Sequence, residues 1–173
     1  MRLEKPTVDL KNEYIEFYQE WKNSGEKMIP FVIEKDPADF DAMLNYLSDC
    51  EKGIEPQVSW IAKNSTFWLV DHNKIIGVVN IRHSLTEQLF NSGGHIGYGI
   101  RPTKRKQGYG TKMLLLALLK AKELKIGKAL LVCYSTNIAS KKVILNNGGQ
   151  KDNDFIDQQN NTLNRYWIEL EDE

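Results

Sequence analysis

Between Leu10 and Trp21, apolar side chains return every three or four positions: Leu10, Tyr14, Phe17, Tyr18 and Trp21 fall on one face. This spacing predicts an amphipathic helix over 10–21. Asp9 is its expected N-cap, Asn12 and Glu13 stand in its first turn, and Lys22-Asn23-Ser24-Gly25 ends it. A second helix is predicted from Pro37 to Cys50. Asp36 caps it, Pro37 holds its first position, and Phe40, Met43, Leu44 and Leu47 form its buried stripe before Lys52-Gly53 closes it. A loop containing Glu55-Pro56 follows.

The period then shortens. Ser65 to Val70 and Lys74 to His83 are rich in β-branched residues and are joined by polar Asp71-His72-Asn73-Lys74, which predicts a hairpin. Gly94 to Arg101 reads as a glycine-rich strand and Pro102 to Gly108 as a loop. Tyr109 to Leu124 is the strongest helix, stopped by Lys125-Ile126-Gly127. Ala129 to Tyr134 is a short apolar strand, and Asn137 to Asn146 a helix ended by Asn147-Gly148-Gly149. Gln150 to Phe155 and Arg165 to Leu170 are the last strands, with polar residues from Asp157 to Asn161 between them. Three consecutive strands imply an antiparallel meander. The strand-helix-strand unit over 94–134 implies two parallel strands with a crossover helix. The expected fold is α+β, with a mixed central sheet and helices on its faces.

The 173 residues, 41% hydrophobic and 27% charged, suit a single domain over 1–173 that needs no disulfide or metal staple. Cys50 and Cys133 lie far apart and in no metal spacing, so no metal is expected and a reduced compartment is the simplest setting. The longest apolar run, Met113 to Leu119, is too short to cross a membrane, and the first residues carry no signal-peptide core. A cytoplasmic protein with no membrane partner is expected. With 23 basic and 23 acidic residues, bulk charge offers no nucleic-acid surface. The charge is uneven, however. Residues 88–122 hold no acid, while Arg101, Lys104, Arg105, Lys106, Lys112, Lys120 and Lys122 are basic. A neutral chain with one basic middle suggests a local anion site, beside the plainer reading of solvated lysines.

That region contains Arg105-x-x-Gly108-x-Gly110, set between a predicted strand and a helix. Glycines there allow a ligand to approach the backbone. Free N–H groups and the helix dipole favour an anion, and Arg105 and Lys106 add charge. The pattern fits a pyrophosphate cradle. It has neither the lysine of a Walker loop nor the spacing of a dinucleotide fold. Taken alone, the two glycines read better as an ordinary glycine-rich loop before a helix.

With Gly94-His95-Ile96-Gly97-Tyr98-Gly99-Ile100-Arg101-Pro102 ahead of it, the segment resembles the acetyl-CoA motif of the GNAT superfamily of N-acetyltransferases. Asn137-Ile138-Ala139-Ser140 and Asn147-Gly148-Gly149 resemble that family's next motif. The resemblance implies a GNAT fold whose parallel strands splay apart, with acetyl-CoA as co-substrate. Its pantetheine arm would pair with Tyr98, Gly99, Ile100 and Arg101, beside glycines (Gly97 and Gly99) that keep the strand surface open. Its pyrophosphate would sit at Arg105 and on the N–H groups of Lys106, Gln107, Gly108, Tyr109, Gly110 and Thr111. Asn137 and Ser140 match positions near the arm, although Asn137 also reads as a plain helix cap.

Acetyl transfer to an amine needs a neutral nucleophile, a site for the oxyanion and a proton for the thiolate. Relatives often have a Glu as base where this chain has His95, and an imidazole can do the same work. A His that only hydrogen-bonds within the sheet is the competing reading. His83 is a second candidate, and His72 reads as solvated. The family's usual Tyr acid falls on Ile144. Tyr134 and Ser140 are substitutes by position, and Cys133 reads as core. The altered acid also leaves open a non-catalytic acyl-CoA sensor on the same fold.

The expected acceptor is a small-molecule amine, with a homodimer left open. Residues 1–60 carry 13 acids against 7 bases, and Glu26, Glu34, Asp36 and Asp39 lie in or beside the loop between the first two helices. Such carboxylates would draw in an ammonium group, which favours a polyamine, an aminoglycoside-like compound or an amino-acid derivative. A solvated acidic surface is the plainer reading.

Overall fold

The computed structural model describes residues 1–54 and 62–170; the loop at Glu55-Pro56 lies outside them. Strand β1 (Arg2–Glu4), which the sequence pattern did not predict, opens the chain. Helices α1 (Lys11–Ser24) and α2 (Phe40–Lys52) follow. The hairpin is β2 (Asn64–Asp71) and β3 (Lys74–Arg82), and β4 (Ile96–Ile100) completes the meander. Helix α3 (Tyr109–Glu123), β5 (Lys128–Tyr134) and α4 (Ile138–Asn146) come next. The chain then forms β6 (Gln150–Lys151), β7 (Phe155–Ile156) and β8 (Thr162–Glu169). The strand expected over 150–155 is therefore two short pieces, both paired to β8.

Both early helices start later than their patterns predicted. Thr7, not Asp9, supplies a capping oxygen, accepting from the Asp9 N–H at the head of a 3-10 turn that leads into α1. Asp36 accepts from the Ala38 N–H in a tight turn of its own, and Asp39 caps α2 through the Ala42 N–H. Each aspartate satisfies the nearest free donor, so a run with two of them allows two starts and packing chooses one.

The strands form two sheets, ordered β1-β2-β3-β4 and β5-β8-β6 with β7 also on β8, and every pairing within them is antiparallel. No ladder joins β4 to β5 among the described residues. The expected splay is complete, and β4 and β5 are the facing edges of separate sheets. On one face of the first sheet α1 and α2 bury Tyr14, Phe17, Trp21, Phe40 and Met43 against Trp68 and Val78. On the other, α3 packs Met113, Leu114 and Ala117 against Leu69, Val79 and Ile81 and continues to Leu131 and Tyr166 of the second sheet. This shared core holds the two edges beside each other without pairing them.

Candidate active site

Helix α3 begins without a side-chain cap. Gly108 at its start has φ +81°, and Lys106 before it has φ +60°. The first helical bond is from the Lys112 N–H to the Gly108 carbonyl, at 3.3 Å. Among the described residues, none accepts from the backbone N–H groups of Lys106, Gln107, Gly108, Tyr109, Gly110 or Thr111. Left-handed residues followed by a helix start make a concave set of donors, which suits a pyrophosphate. The residues expected to cradle acetyl-CoA are brought together.

The two arginines flanking the cradle have other partners. Arg105 donates through Nε to the Ile100 carbonyl (3.0 Å), pairs through Nη1 with Glu26 (2.6 Å) and lies over the Trp21 ring. Arg101 pairs with Glu20 (2.5 Å), and its backbone N–H donates to Ile76. Their side chains lash the loop before α3 to α1 and to the segment after it. The expected electrostatic lure is therefore altered: Glu26 is neutralised by Arg105, and Asp36 and Asp39 act as local caps. Glu34 is left exposed.

From the cradle, β4 leads to the point where the sheets touch. The Arg101 N–H donates to Ile76 and the His95 carbonyl accepts from Arg82, so alternate residues of β4 pair with β3. The backbone groups of Tyr98 and Ile100 therefore turn towards β5, where no ladder takes them, although Arg105 holds the Ile100 carbonyl at the cradle end. This is an unfilled strand position. It closes at His95. The His95 N–H donates to the Leu130 carbonyl (2.7 Å), and the Leu130 N–H donates to Nδ1 of the His95 ring (2.9 Å).

Gly97 and Gly99 do not leave the strand surface open. A Cβ on Gly99 would stand 2.0 Å from the Ile29 carbonyl oxygen and 2.3 Å from Trp21, so the segment between α1 and α2 rests on the strand. Gly97 is covered by Arg82.

The histidines part company. His95 is buried, and its Nδ1 lone pair is taken by Leu130, which puts the ring proton on Nε2. Burial, and then the nearby Arg82 charge, lower its pKa to about 4. As held, the ring has no free lone pair, which favours the sheet-bonding reading over the reading as base. His83 points to the other side of β3 from Arg82 and bonds through Nε2 to Ser65 Oγ (2.8 Å), which also donates to Glu51. It does not join His95. Tyr134 is exposed at the end of β5.

Across the gap, the Tyr98 hydroxyl is bonded to Ser140 Oγ (2.9 Å) at the start of α4. Asn137 takes the helix-cap role, its side chain accepting from the Ser140 N–H (3.0 Å). Cys133 is buried; burial raises its thiol pKa, as a core reading requires. Ile144 is fully buried and has no proton to give.

Sequence reasoning missed Arg82 and Asn80, two polar residues inside the apolar run of β3. Asn80 is directly opposite Gly97 and is fully buried. It donates to Asn64 Oδ1 (2.6 Å) and Thr66 Oγ1 (3.1 Å), while its own Oδ1 is sealed and unpaired. Arg82, 8% exposed, lays its guanidinium on Gly97, with both terminal nitrogens 3.0 Å from where a Cβ would stand. The Phe31 ring centroid is 5.8 Å from its guanidinium carbon. The interrupted hydrophobic run was the available signal.

Residues 1–150 match the family described as Acetyltransferase (GNAT) domain. The chain belongs to the GNAT acetyltransferase family. It is thus an acetyl-CoA-dependent N-acetyltransferase, and acetyl-CoA is the co-substrate for which the cradle and the open edge of β4 are suited. No curated protein matches the sequence. Solved structures share the GNAT fold at low identity. The microcin C7 self-immunity acetyltransferase MccE, in complex with acetyl-CoA and AMP, is 16% identical with a TM-score of 0.68, over 96% of this chain and 91% of that one. A Salmonella typhimurium acetyltransferase that modifies the N-terminal serine of a 50S ribosomal subunit protein is 13% identical with a TM-score of 0.68, over 98% and 94%. A mutant of the spermidine N-acetyltransferase SpeG from Vibrio cholerae is 13% identical with a TM-score of 0.65, over 98% and 95%. The GNAT fold in this chain has free N–H groups at the start of α3 and splayed edges at β4 and β5, and α4 carries Ile144 where the motif resemblance implied a Tyr.

Proposed function

We propose that this GNAT enzyme transfers the acetyl group of acetyl-CoA to the primary amine of a small-molecule acceptor, by direct attack within a ternary complex. The observation that carries the reading is the free edge of β4. It runs from the α3 cradle to the His95–Leu130 contact, so a thioester held along it reaches the junction of the two sheets. The α1–α2 segment rests on the same strand at Gly99. A strand covered at that point favours a compact acceptor over a long peptide laid along it.

In the reaction the neutral amine nitrogen attacks the thioester carbonyl carbon. A C–N bond forms, the C–S bond breaks, the nitrogen loses a proton and the CoA thiolate gains one. His95 has no lone pair to offer, so the amine arrives already deprotonated or gives its proton to water. Tyr134 and the Ser140 hydroxyl are the candidate donors to the thiolate. His83 has no part in this reading.

The test is release of CoA thiol from acetyl-CoA with a panel of primary amines. Sequential kinetics, with both substrates needed before any product leaves, are expected. Parallel-line kinetics would overturn direct attack. Tight acetyl-CoA binding with no release for any amine would favour the acyl-CoA sensor.

A further inference from the structure

The α1–α2 face of the first sheet carries an arginine that the reaction above does not use. Arg82 is 8% exposed, yet among the described residues no carboxylate lies within ion-pair distance of it. Its only acceptors among those residues are the Gly93 and Gly94 carbonyls, both on Nη1 and both long, at 3.3 and 3.5 Å. A guanidinium has five N–H donors. Those on Nε and Nη2 have no acceptor here and are not sealed away. Burial of the uncompensated charge lowers its pKa to about 10, and the side chain stays protonated at neutral pH.

Location makes this more than a packing feature. Arg82 lies flat on Gly97, in the strand whose free edge ends at His95, and its charge is felt by the His95 ring. Opposite Gly97 is Asn80, whose sealed Oδ1 has no partner. The Phe31 ring of the α1–α2 segment has its centroid 5.8 Å from the guanidinium carbon. The buried cation thus lies next to the point where the sheets part, and the sealed Asn80 oxygen, an acceptor, offers an anion nothing. Buried polar groups are normally satisfied, and a planar guanidinium with free donors suits an oxyanion.

We propose that Arg82 is the acceptor-specificity residue: it takes an oxyanion, a carboxylate or a phosphate, carried a few bonds from the amine that is acetylated. This rests on the acetyl-transfer reading and narrows its acceptor. It also reverses the sign suggested by the acidic N-terminal segment. A second ammonium group, as in a polyamine, would meet a buried cation with no counter-charge. The same charge would favour loss of the acceptor's ammonium proton, giving the neutral nucleophile without a protein base.

The experiment measures kcat/KM of the full chain, at saturating acetyl-CoA, for matched amines: an amino acid, its amide, an aminoalkyl phosphate and spermidine. The two oxyanion arms tell carboxylate from phosphate. At least one of them should exceed both the amide and spermidine. In Arg82→Gln the favoured oxyanion substrate should lose about thirtyfold more than the amide does, the scale of breaking a buried charged hydrogen bond. Arg82→Lys, which keeps the charge without the fork, should lose less of that preference and guards against a folding defect in the first variant. Equal rates for acid and amide, preference for spermidine, or an equal loss for all substrates in both variants overturns the inference and leaves acetyl transfer standing. Absence of CoA release with every amine overturns both.

Discussion

His95 and Leu130 join the two sheets where they meet, the Leu130 N–H donating to Nδ1 of the imidazole while the His95 N–H donates to the Leu130 carbonyl. A side chain thus takes the place of a β-ladder carbonyl, and the strands part beyond it.

This contact predicts a structural role with a pH signature. Folded His95 titrates near about 4, below the ordinary histidine value of about 6.5, so the unfolded chain binds more protons between the two. Its contribution to stability is complete above the unfolded value and is lost as the pH falls through that window. His95→Gln, whose side-chain carbonyl can accept from Leu130, should flatten this loss. Thermal melts at about pH 7 and about pH 5 check it; identical shifts for both proteins would count against it. His95→Ala should cost about 1–3 kcal/mol by leaving a buried N–H unpaired. Turnover in the Gln variant should keep the wild-type pH profile.

At the cradle, Gly108 is in the left-handed region and nothing lies within 4 Å of a Cβ built there. Substitution therefore acts through backbone strain, not through collision with protein atoms. Gly108→Val should weaken acetyl-CoA binding by about tenfold, from a conformational penalty of about 1–2 kcal/mol. Gly108→Asn tolerates positive φ and should bind more nearly as wild type. Calorimetric titration with acetyl-CoA measures both. Equal affinity across all three proteins would mean that the cradle is elsewhere.

Arg105 and Glu26 tie the loop before α3 to the segment after α1. Both side chains are partly exposed, so their coupling in a double-mutant cycle of Arg105→Ala and Glu26→Gln should be only about 0.2–1 kcal/mol of stability. Freed from Glu26, Arg105 can turn to the cradle, and Glu26→Gln should tighten acetyl-CoA binding. Weaker binding in that variant would show that Arg105 serves the ligand best while held by Glu26.

The Tyr98–Ser140 bond predicts an asymmetry. Ser140→Ala removes the Oγ partner of the half-buried Tyr98 hydroxyl and leaves it only the longer bond to the residue 140 carbonyl (3.4 Å), which should cost about 0.5–1.5 kcal/mol, whereas Tyr98→Phe combined with Ser140→Ala should cost less. Denaturant melts decide it. Additive losses would mean that the two hydroxyls act independently.

The fold and the cradle were largely legible in the chain, because both depend on local rules. Helical spacing located α1, α2 and α3, β-branched runs located β2 and β3, and Arg105-x-x-Gly108-x-Gly110 marked the free N–H groups. Helix starts were less legible: Asp36 and Asp39 are equally good caps in isolation. Strand β1 was missed because three residues carry no period.

The sequence by itself determined the order of the main elements, the glycine-marked loop before α3 and the absence of a tyrosine at Ile144. Each of these depends only on neighbours along the chain. Only the tertiary structure decided what the charged and titratable groups do. It turned Arg105 to Glu26, gave the His95 lone pair to Leu130 and left Arg82 buried without a carboxylate among the described residues. A group's proton and charge answer to whatever lies within a few ångströms of it. Those neighbours come from strands and loops distant in sequence, brought together only when the sheets pack.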